Sequence, residues 1–272
     1  MNTEEEFFCL KYELTALRDY TLHHKNERWI YGFIDKITEK EHLDRYKFAS
    51  TLVKDKTVLD IACGSGLGGY ILSKDGQAKK VVGVDLDKDS IRYGNFRYAL
   101  ENISRYAGDA TTYKGEELFD VIVSFETIEH VPDYNKLLDN FSLNLKDGGI
   151  LIISTPINRK TTTELINPYH VIEWSFNDFH SLLKNNFDII EVYVQNIRTE
   201  REKEKTKINP LTKLKFKLRP DLEKNFHEKI KIKSIGRGKE FEKFEGQYDI
   251  NTITNGYQLL VASKKRHPSN KQ

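Results

Sequence analysis

Apolar residues near the start of the chain recur at helical intervals, whereas later they form short runs separated by amphipathic segments. Helical spacing covers most of residues 5–52, in stretches at 7–17, 29–37 and 41–49. From residue 53 onward, β-rich runs alternate with helical periods. This alternation predicts an α/β fold with a parallel sheet that is covered on both faces.

The pattern divides the chain into a helical cap, residues 1–52, and a main domain, residues 53–272. Ser175, with Asp178 three residues later, is the predicted N-cap of the helix before the sixth strand. An insert, residues 197–255, breaks the alternation before the last strand. The seven predicted strands are residues 58–61, 81–85, 103–106, 119–124, 150–153, 187–194 and 257–262.

The insert has no clean apolar period and is crowded with lysine. One interpretation is a solvated, partly disordered excursion. The other is a lid that recognises a phosphorylated or acidic substrate. The lysines that define it are Lys203, Lys205, Lys207, Lys213, Lys215 and Lys217.

The first predicted strand runs into a loop with glycine at positions 64, 66, 68 and 69. Because glycine has no Cβ, a ligand can lie directly against this backbone. The amides that open the following helix favour an anionic or polar group. The spacing departs from the Gly-x-Gly-x-x-Gly of dinucleotide-binding folds, and Asp60 stands directly before the loop.

Acidic residues stand at or just after the carboxyl ends of four predicted strands: Asp60, Asp85, Asp109 and Glu126. A parallel sheet binds its ligand at these ends. Asp109 is placed to accept a hydrogen bond from an exocyclic amine such as that of adenine. A pyrophosphate beside Asp60 would be repelled, so the pattern favours a nucleoside without phosphate.

Asp85 has two interpretations. A carboxylate after a β-run can accept both hydroxyls of a ribose, and Asp85 follows Gly64 by 21 residues. Alternatively an aspartate here is a helix N-cap, for which Asp87 or Asp89 is also available. The spacing of 21 residues favours the interpretation of Asp85 as the ribose-binding residue.

Five of these stretches, in the usual order, resemble the class I S-adenosylmethionine-dependent methyltransferases. The resemblance implies a Rossmann-like seven-stranded sheet whose last strand is antiparallel, and S-adenosylmethionine as the cofactor. The stretches that carry it are residues 58–66, 83–85, 108–110, 119–122 and 145–149.

The resemblance also implies cofactor contacts. Residues 60–66 would hold the methionine part, Asp85 the ribose hydroxyls, and Asp109 with Ala110 the adenine, while Phe125 and Glu126 would lie beside the sulfonium. The implied cofactor residues within or next to those stretches are Asp60, Ala62, Gly64, Gly66, Asp85, Leu86, Asp109, Ala110, Phe125 and Glu126.

Two flanking stretches, residues 41–46 and 167–175, resemble bacterial O-methyltransferases of sugars and surface glycans. This resemblance implies that Arg45 and Tyr46 close over the carboxylate and sulfonium of the cofactor. It also implies an acceptor hydroxyl on a sugar or sugar nucleotide. The group often has Gly-Glu-Gly-Tyr-Gly where this chain has Gly-Ser-Gly-Leu-Gly at residues 64–68.

Two histidines are candidates for removing the proton of an acceptor hydroxyl, since imidazole titrates near neutral pH. His130 follows the fourth strand, and His170 lies on the loop after the fifth. Glu129 is a third candidate catalytic residue. For each histidine a structural role is an equal alternative.

A metal site is a further hypothesis. Glu126, Glu129 and His130 form Glu-x-x-Glu-His, and His170 could complete a mixed oxygen and nitrogen site for a divalent cation. This string resembles the small-RNA 2′-O-methyltransferases, but it also occurs in metal-free quinone and sugar methyltransferases. The metal therefore stays an alternative to a site without one.

The amino-acid composition limits the classes of binding partner and the cellular compartment that we expect. The 43 basic and 41 acidic residues leave a formal net charge of +2, which argues against nucleic acid. Cys9 and Cys63 lie far apart in the sequence, so we expect free thiols in a reducing compartment. No signal peptide or membrane-spanning stretch is evident, which predicts a cytoplasmic protein.

The sequence thus predicts a methyltransferase that acts on a hydroxyl of a small molecule, a sugar or sugar nucleotide in glycan or natural-product biosynthesis. Three alternatives stay open: a metal-dependent 2′-O-methyltransferase of RNA 3′ ends, a quinone or other small-molecule O- or N-methyltransferase, and a cofactor-binding module without turnover. A homo-oligomer is compatible with the sequence.

Overall fold

The computed structural model describes residues 3–23, 29–33, 36–165, 167–199 and 241–265. The lysines that define the predicted insert lie outside these described residues. The helices are α1 (Thr3–His23), α2 (Lys36–Ser50), α3 (Leu67–Lys74), α4 (Lys88–Arg97), α5 (Tyr134–Asn144) and α6 (Phe176–Leu183).

The strands are β1 (Thr57–Ile61), β2 (Lys80–Asp85), β3 (Ile103–Ala107), β4 (Phe119–Phe125), β5 (Leu145–Asn158), β6 (Trp174–Ser175), β7 (Phe187–Thr199), β8 (Glu242–Lys243) and β9 (Ile253–Lys264). The sheet runs in the order β3-β2-β1-β4-β5-β9-β7-β8, with β6 paired to β5. β1 to β5 are parallel to one another, whereas β9 is antiparallel to β5 and to β7. The predicted seven-stranded sheet with an antiparallel last strand is confirmed, and the short strands β6 and β8 are additional.

β7 and β9 are longer than predicted, because they continue to pair with each other beyond the rest of the sheet. Arg198 lies opposite Asn255, and Thr199 lies opposite Ile253. Both ends of the predicted insert therefore belong to strands.

The sheet has two apolar faces, since successive side chains of a strand point to opposite sides. Ile122, Ile153 and Leu260 pack with side chains of α5 and α6 on one face. Val121 and Ile152 pack with side chains of α2 and α3 on the other. Burial on both faces explains why the central strands are almost wholly apolar.

The predicted helix over residues 29–37 is wrong at its start, because Trp29 to Phe33 form a turn. The Trp29 carbonyl accepts a hydrogen bond from Ser65 Oγ at 2.6 Å. The Trp29 ring stacks on His42. Gly32 takes φ +81°, which ends any helical path. Tertiary contacts thus outweigh the helical spacing of the apolar residues.

Cys9 and Cys63 are both buried free thiols, as expected. None of the helices in the described ranges is both long and apolar enough to cross a membrane. Ser175 is the N-cap of α6, as predicted, with its hydroxyl accepting from the amide of Asp178 at 3.1 Å.

Candidate functional site

The loop between β1 and α3 turns sharply at the carboxyl edge of the sheet. Its backbone is left-handed at Ala62 (φ 56°), Gly64 (φ 53°) and Gly66 (φ 87°), and Gly66 is the N-cap residue of α3. At Gly68 a Cβ would lie 2.1 Å from the ring of Tyr46. Glycine at position 68 therefore makes room for α2 rather than for a ligand.

Asp85, at the end of β2, holds this loop in place. Its Oδ2 accepts from the Gly64 amide at 2.9 Å, and its Oδ1 accepts from the Asp87 amide at 2.9 Å. Asp87 caps α4 by accepting from the Ser90 amide. The N-cap interpretation therefore belongs to Asp87, and each oxygen of Asp85 keeps a second lone pair for a ligand.

Asp60 is a fully buried acid in the middle of the sheet's carboxyl edge. Its Oδ1 accepts a hydrogen bond from Tyr46 Oη at 3.0 Å, whereas Oδ2 has no partner among the described residues. Burial raises the pKa of Asp60 to about 7, although Tyr46 and Arg105 act in the opposite direction. A group bound here can supply the missing donor.

The end of β3 approaches the same edge, because the Gly108 amide donates to the Asp85 carbonyl at 2.9 Å. Asp109 is exposed, and its Oδ1 accepts from the amide and the hydroxyl of Thr111, which lowers its pKa. Ala110 is partly buried, and Leu86 is 75% exposed. These residues form the more open side of the site.

The end of β4 forms the opposite side. Phe125 is buried and meets the Tyr46 ring edge-on, with centroids 4.9 Å apart. Glu126 takes a left-handed conformation, φ 49°, and its Oε1 accepts from Ser154 Oγ at 2.7 Å. A non-glycine residue in this region is strained, which is common where a side chain is aimed at a ligand.

Arg45 of α2 is a buried cation, 1% exposed, above these strand ends. Its Nη1 donates to Gln195 Oε1 at 2.8 Å and its Nη2 to His42 Nδ1 at 3.4 Å. Its guanidinium lies over the Tyr257 ring, and its Nε has no partner among the described residues. None of these contacts is a carboxylate, so an anionic ligand would compensate the charge.

The sequence pattern missed the residues that surround Arg45. Glu41 lies one helical turn before it and accepts from Asn196 Nδ2, and burial raises the pKa of Glu41. Gln195 and Tyr257 come from strands far away in the sequence. No local pattern marks Gln195, because β7 also contains Asp188, Glu191 and Arg198.

His130 lies in a short 3-10 helix, Ile128–His130, that follows β4. Its Nδ1 lies 3.0 Å from the Tyr169 carbonyl oxygen. Because a carbonyl can only accept, Nδ1 carries the proton and Nε2 carries the lone pair. This is the tautomer that a general base requires at Nε2.

His170 has both nitrogens engaged. Its Nδ1 lies 3.0 Å from Glu173 Oε1, and its Nε2 lies 2.9 Å from Asn167 Nδ2. The Tyr169 amide donates to Asn167 Oδ1, which fixes the orientation of that amide group. His170 therefore holds the loop that positions Tyr169. The centre of its ring lies 4.8 Å from that of the His130 ring.

Glu129 is buried beside the two histidines, and Gln258 is buried on β9. Thr155 Oγ1 donates to Glu129 Oε2 at 2.9 Å, whereas Oε1 has no partner within the described part of the chain. Gln258 lies directly opposite Thr155, so their side chains share one face of the sheet. Both amide atoms of Gln258 also lack a partner there. Burial and the neighbouring Glu126 raise the pKa of Glu129, which favours its neutral form.

Three of the four predicted metal-binding residues come together. Ligand atoms of Glu129, His130 and His170 lie within 4.8 Å of one another, and Glu126 is not part of that group. The unpartnered Oε1 of Glu129 fits a cation. Both nitrogens of His170 already have partners, so a cation would have to displace Asn167.

Comparison with known proteins settles the family. The family model described as "Methyltransferase domain" matches residues 52–209. The chain belongs to this methyltransferase family. Its fold is the Rossmann-like fold of class I S-adenosylmethionine-dependent methyltransferases, and its cofactor is S-adenosylmethionine, as the resemblance implies.

Curated relatives of this methyltransferase act on different acceptors. The ubiquinone biosynthesis O-methyltransferase of Coxiella burnetii is 35% identical over 116 residues, which is 39% of this chain and 46% of that protein. The (S)-coclaurine N-methyltransferase of Papaver somniferum is 33% identical over 138 residues, 50% of this chain and 39% of that protein. The chain thus spans about half the length, or less, of the curated relatives it matches.

A solved structure extends the likeness over the whole fold. The N-methyltransferase NodS from Bradyrhizobium japonicum WM9, in complex with S-adenosyl-L-homocysteine, has a TM-score of 0.55 and 14% identity, covering 95% of this chain and 99% of that one. At that identity the likeness concerns the fold alone.

The sequence-predicted residues fall into two groups in this methyltransferase. Direct contacts connect Tyr46 with Asp60 and Phe125, and Asp85 with Gly64. Leu86 and Asp109 are exposed, and Asp109 is turned toward Thr111, so neither makes such a contact in the described structure. Their cofactor roles stay predictions.

Asp60 predicts a pH dependence of stability. Its pKa is higher in the folded protein, so folding favours the protonated form and its contribution to stability falls as pH rises toward about 7. Between about pH 5 and about pH 7 we expect the free energy of unfolding of the wild type to fall by about 2 kcal/mol. This fall should be absent in Asp60→Asn. Urea unfolding of the cofactor-free protein at several pH values measures it.

Asp120→Asn is the matched control. The Thr57 amide and Lys146 lower the pKa of Asp120 although burial opposes them, so its contribution to stability changes only at lower pH. Equal pH slopes in the wild type and Asp60→Asn would contradict the account of Asp60.

Proposed function

We propose that this methyltransferase transfers the methyl group of S-adenosylmethionine to a hydroxyl of a sugar or sugar nucleotide, in glycan or natural-product biosynthesis. The observation that carries the proposal is the set of buried polar atoms on Glu129 and Gln258 that have no partner among the described residues. Leaving buried polar groups unpaired costs free energy, which a ligand rich in hydroxyls recovers. A quinone has fewer polar groups and would pair fewer of these atoms.

In this proposal the cofactor lies under α2, which forms the cap. Asp85 accepts the ribose hydroxyls, and the unpartnered Oδ2 of Asp60 accepts from the amino group of the methionine part. Arg45 supplies the positive charge for the carboxylate, with Tyr46 beside the sulfonium. The remaining predicted contacts are Ala62, Gly64 and Gly66 along the loop, Leu86, Asp109 and Ala110 around the adenosine, and Phe125 with Glu126 near the methyl group.

The charges near the sulfonium are compatible with this placement. The carboxyl groups of Asp60, Glu126 and Glu41 outnumber the two described buried guanidiniums near them, those of Arg45 and Arg105. A cationic sulfonium is attracted to such a region, whereas a phosphate is not. The sulfonium needs little activation, so the protein contributes mainly by aligning the acceptor oxygen with the methyl group.

His130 is the proposed general base. Its Nδ1–H donates to the Tyr169 carbonyl, so Nε2 is the ring atom that would accept the proton of the acceptor hydroxyl. His170 positions this arrangement through Asn167 and Tyr169. Glu129, in its neutral form, would donate a hydrogen bond to a second hydroxyl of the acceptor.

The strands that flank the insert reach the cap residues of this site, because the Arg45 guanidinium lies over the Tyr257 ring of β9 and Asn196 of β7 donates to Glu41. The sequence of the insert, rich in lysine, suits the diphosphate of a sugar nucleotide.

A second candidate is a metal-dependent 2′-O-methyltransferase of RNA 3′ ends. The observation that favours it is the cluster of Glu129, His130 and His170. These residues would hold a divalent cation, which orients two vicinal hydroxyls. A quinone hydroxyl as acceptor is a third, supported by the O-methyltransferase relative of Coxiella burnetii.

The acceptor is tested by incubating the protein with S-adenosylmethionine and a panel of nucleotide sugars, a catechol, a benzylisoquinoline amine and an RNA 3′ end. We expect a methyl mass shift on a nucleotide sugar. Gln258→Leu should raise the KM for that acceptor about tenfold or more, because a hydroxyl of the bound acceptor loses its hydrogen-bond partner. The affinity for the cofactor should stay unchanged. Gln247→Leu, at an exposed position, is the matched control. Methylation of the catechol, the amine or the RNA alone would refute the sugar.

His130→Gln tests the base. We expect kcat to fall about 100-fold or more, with cofactor affinity unchanged and with no effect of a chelator on the wild type. His180→Gln, a substitution of a histidine packed on Phe176 of α6, should leave kcat unchanged. Loss of wild-type activity on chelation, restored by Mn²⁺, would instead establish the metal-dependent mechanism.

A further inference from the structure

Helix α1 has two apolar faces, and one of them is buried against other described residues. Cys9, Tyr12 and Ala16 belong to the face that packs on α4, where they meet Tyr93. Arg92 of α4 also donates three hydrogen bonds to the carboxylate of Glu5, two to Oε1 and one to Oε2. This inner face fixes α1 firmly on the main domain.

The opposite face carries large apolar side chains in contact with solvent. Phe7 is 70% exposed, Leu10 47%, Leu14 62% and Leu17 41%. A surface helix normally has polar residues on its outer face. A contiguous exposed apolar stripe indicates an interaction surface.

The spacing of these four residues specifies the kind of partner. Intervals of three, four and three residues place them at successive a and d positions of a heptad repeat. We call Phe7, Leu10, Leu14 and Leu17 the α1 seam. A seam with this period matches another helix with the same period, not a flat surface.

We propose that the α1 seam binds the α1 seam of a second copy of this chain, with the two helices parallel and in register. Isologous pairing of one patch is the commonest way in which identical chains associate. The proposal does not depend on the proposed acceptor.

Charges beside the seam select the parallel orientation. With Phe7 at position a, Glu6 and Glu13 occupy g positions and Lys11 and Arg18 occupy e positions. Parallel helices bring g of one chain to e of the next heptad, so Glu6 meets Lys11 of the partner subunit. Antiparallel helices would bring the basic e positions together.

Glu6 is already held along the edge of the seam, because Arg97 Nη1 lies 2.9 Å from its Oε1. Holding it in place reduces the side-chain entropy that an intermolecular ion pair costs. Glu13 accepts from Tyr93 Oη and Arg97 Nε within its own chain, so it adds no pair across the interface. Because the seam has only two heptads, the interface is small, and we expect a dimer that dissociates on dilution.

Sedimentation equilibrium of the full chain over a range of concentrations tests the dimer. We expect a monomer–dimer equilibrium that Leu10→Glu with Leu14→Glu shifts to monomer at every concentration. Leu143→Glu, at a 70% exposed position of α5, is the matched control and should leave the equilibrium unchanged. Circular dichroism should show wild-type folding for each variant, since all three positions are exposed. A wild type that is monomeric throughout, or a dimer indifferent to the double substitution, overturns the proposal.

Disulfide trapping tests the orientation. Leu14→Cys should cross-link to itself under mild oxidation, because parallel helices in register bring equivalent a positions within reach of a disulfide. Cys9 and Cys63 are buried and give little background. Cross-linking only between Leu10→Cys and Leu14→Cys chains would show an antiparallel pair and refute the parallel arrangement.

Discussion

The hydrogen bond from Tyr46 to the buried carboxyl of Asp60 is the interaction on which the rest of the site depends. A carboxyl group at the end of a central strand is costly to bury, and one of its oxygens is satisfied by a side chain of α2. The Tyr46 ring reaches it only because Gly68 has no side chain. This contact places α2 over the carboxyl edge of the sheet, and with α2 come Arg45 and Glu41. The other oxygen of Asp60 is left for a ligand.

The other parts of the site follow from this arrangement. Asp85 fixes the glycine loop through the Gly64 amide, so two acids face one region from adjacent strands. Arg45 lies on the opposite side of that region without a carboxylate among its contacts. Negative charge on one side and a buried cation on the other suit a ligand that is itself zwitterionic, with an ammonium, a carboxylate and a sulfonium. A dinucleotide pyrophosphate has the wrong charge for the acidic side.

The sheet could be predicted because its strands are short apolar runs with clear ends, and the strand-end acids because ligands of such sheets bind there. Contacts between segments that are distant in the sequence could not be predicted. Arg45 and Gln195 are 150 residues apart, and nothing local connects them. The turn at Trp29 is set by Ser65, and the helical spacing there was misleading. Periodicity showed that α1 is apolar at Phe7 and Leu10, but not that these side chains face away from the main domain.

The measurement that tests the account most directly is the calorimetric affinity of S-adenosyl-L-homocysteine for the wild type, Asp85→Ala and Asp120→Ala. Asp85 and Asp120 both accept a backbone amide, but Asp120 binds Thr57 at the other end of the sheet. If the strand-end acids enclose the nucleoside, Asp85→Ala weakens binding by about 10-fold to 100-fold and Asp120→Ala leaves it unchanged. Equal affinities for all three proteins would contradict the account.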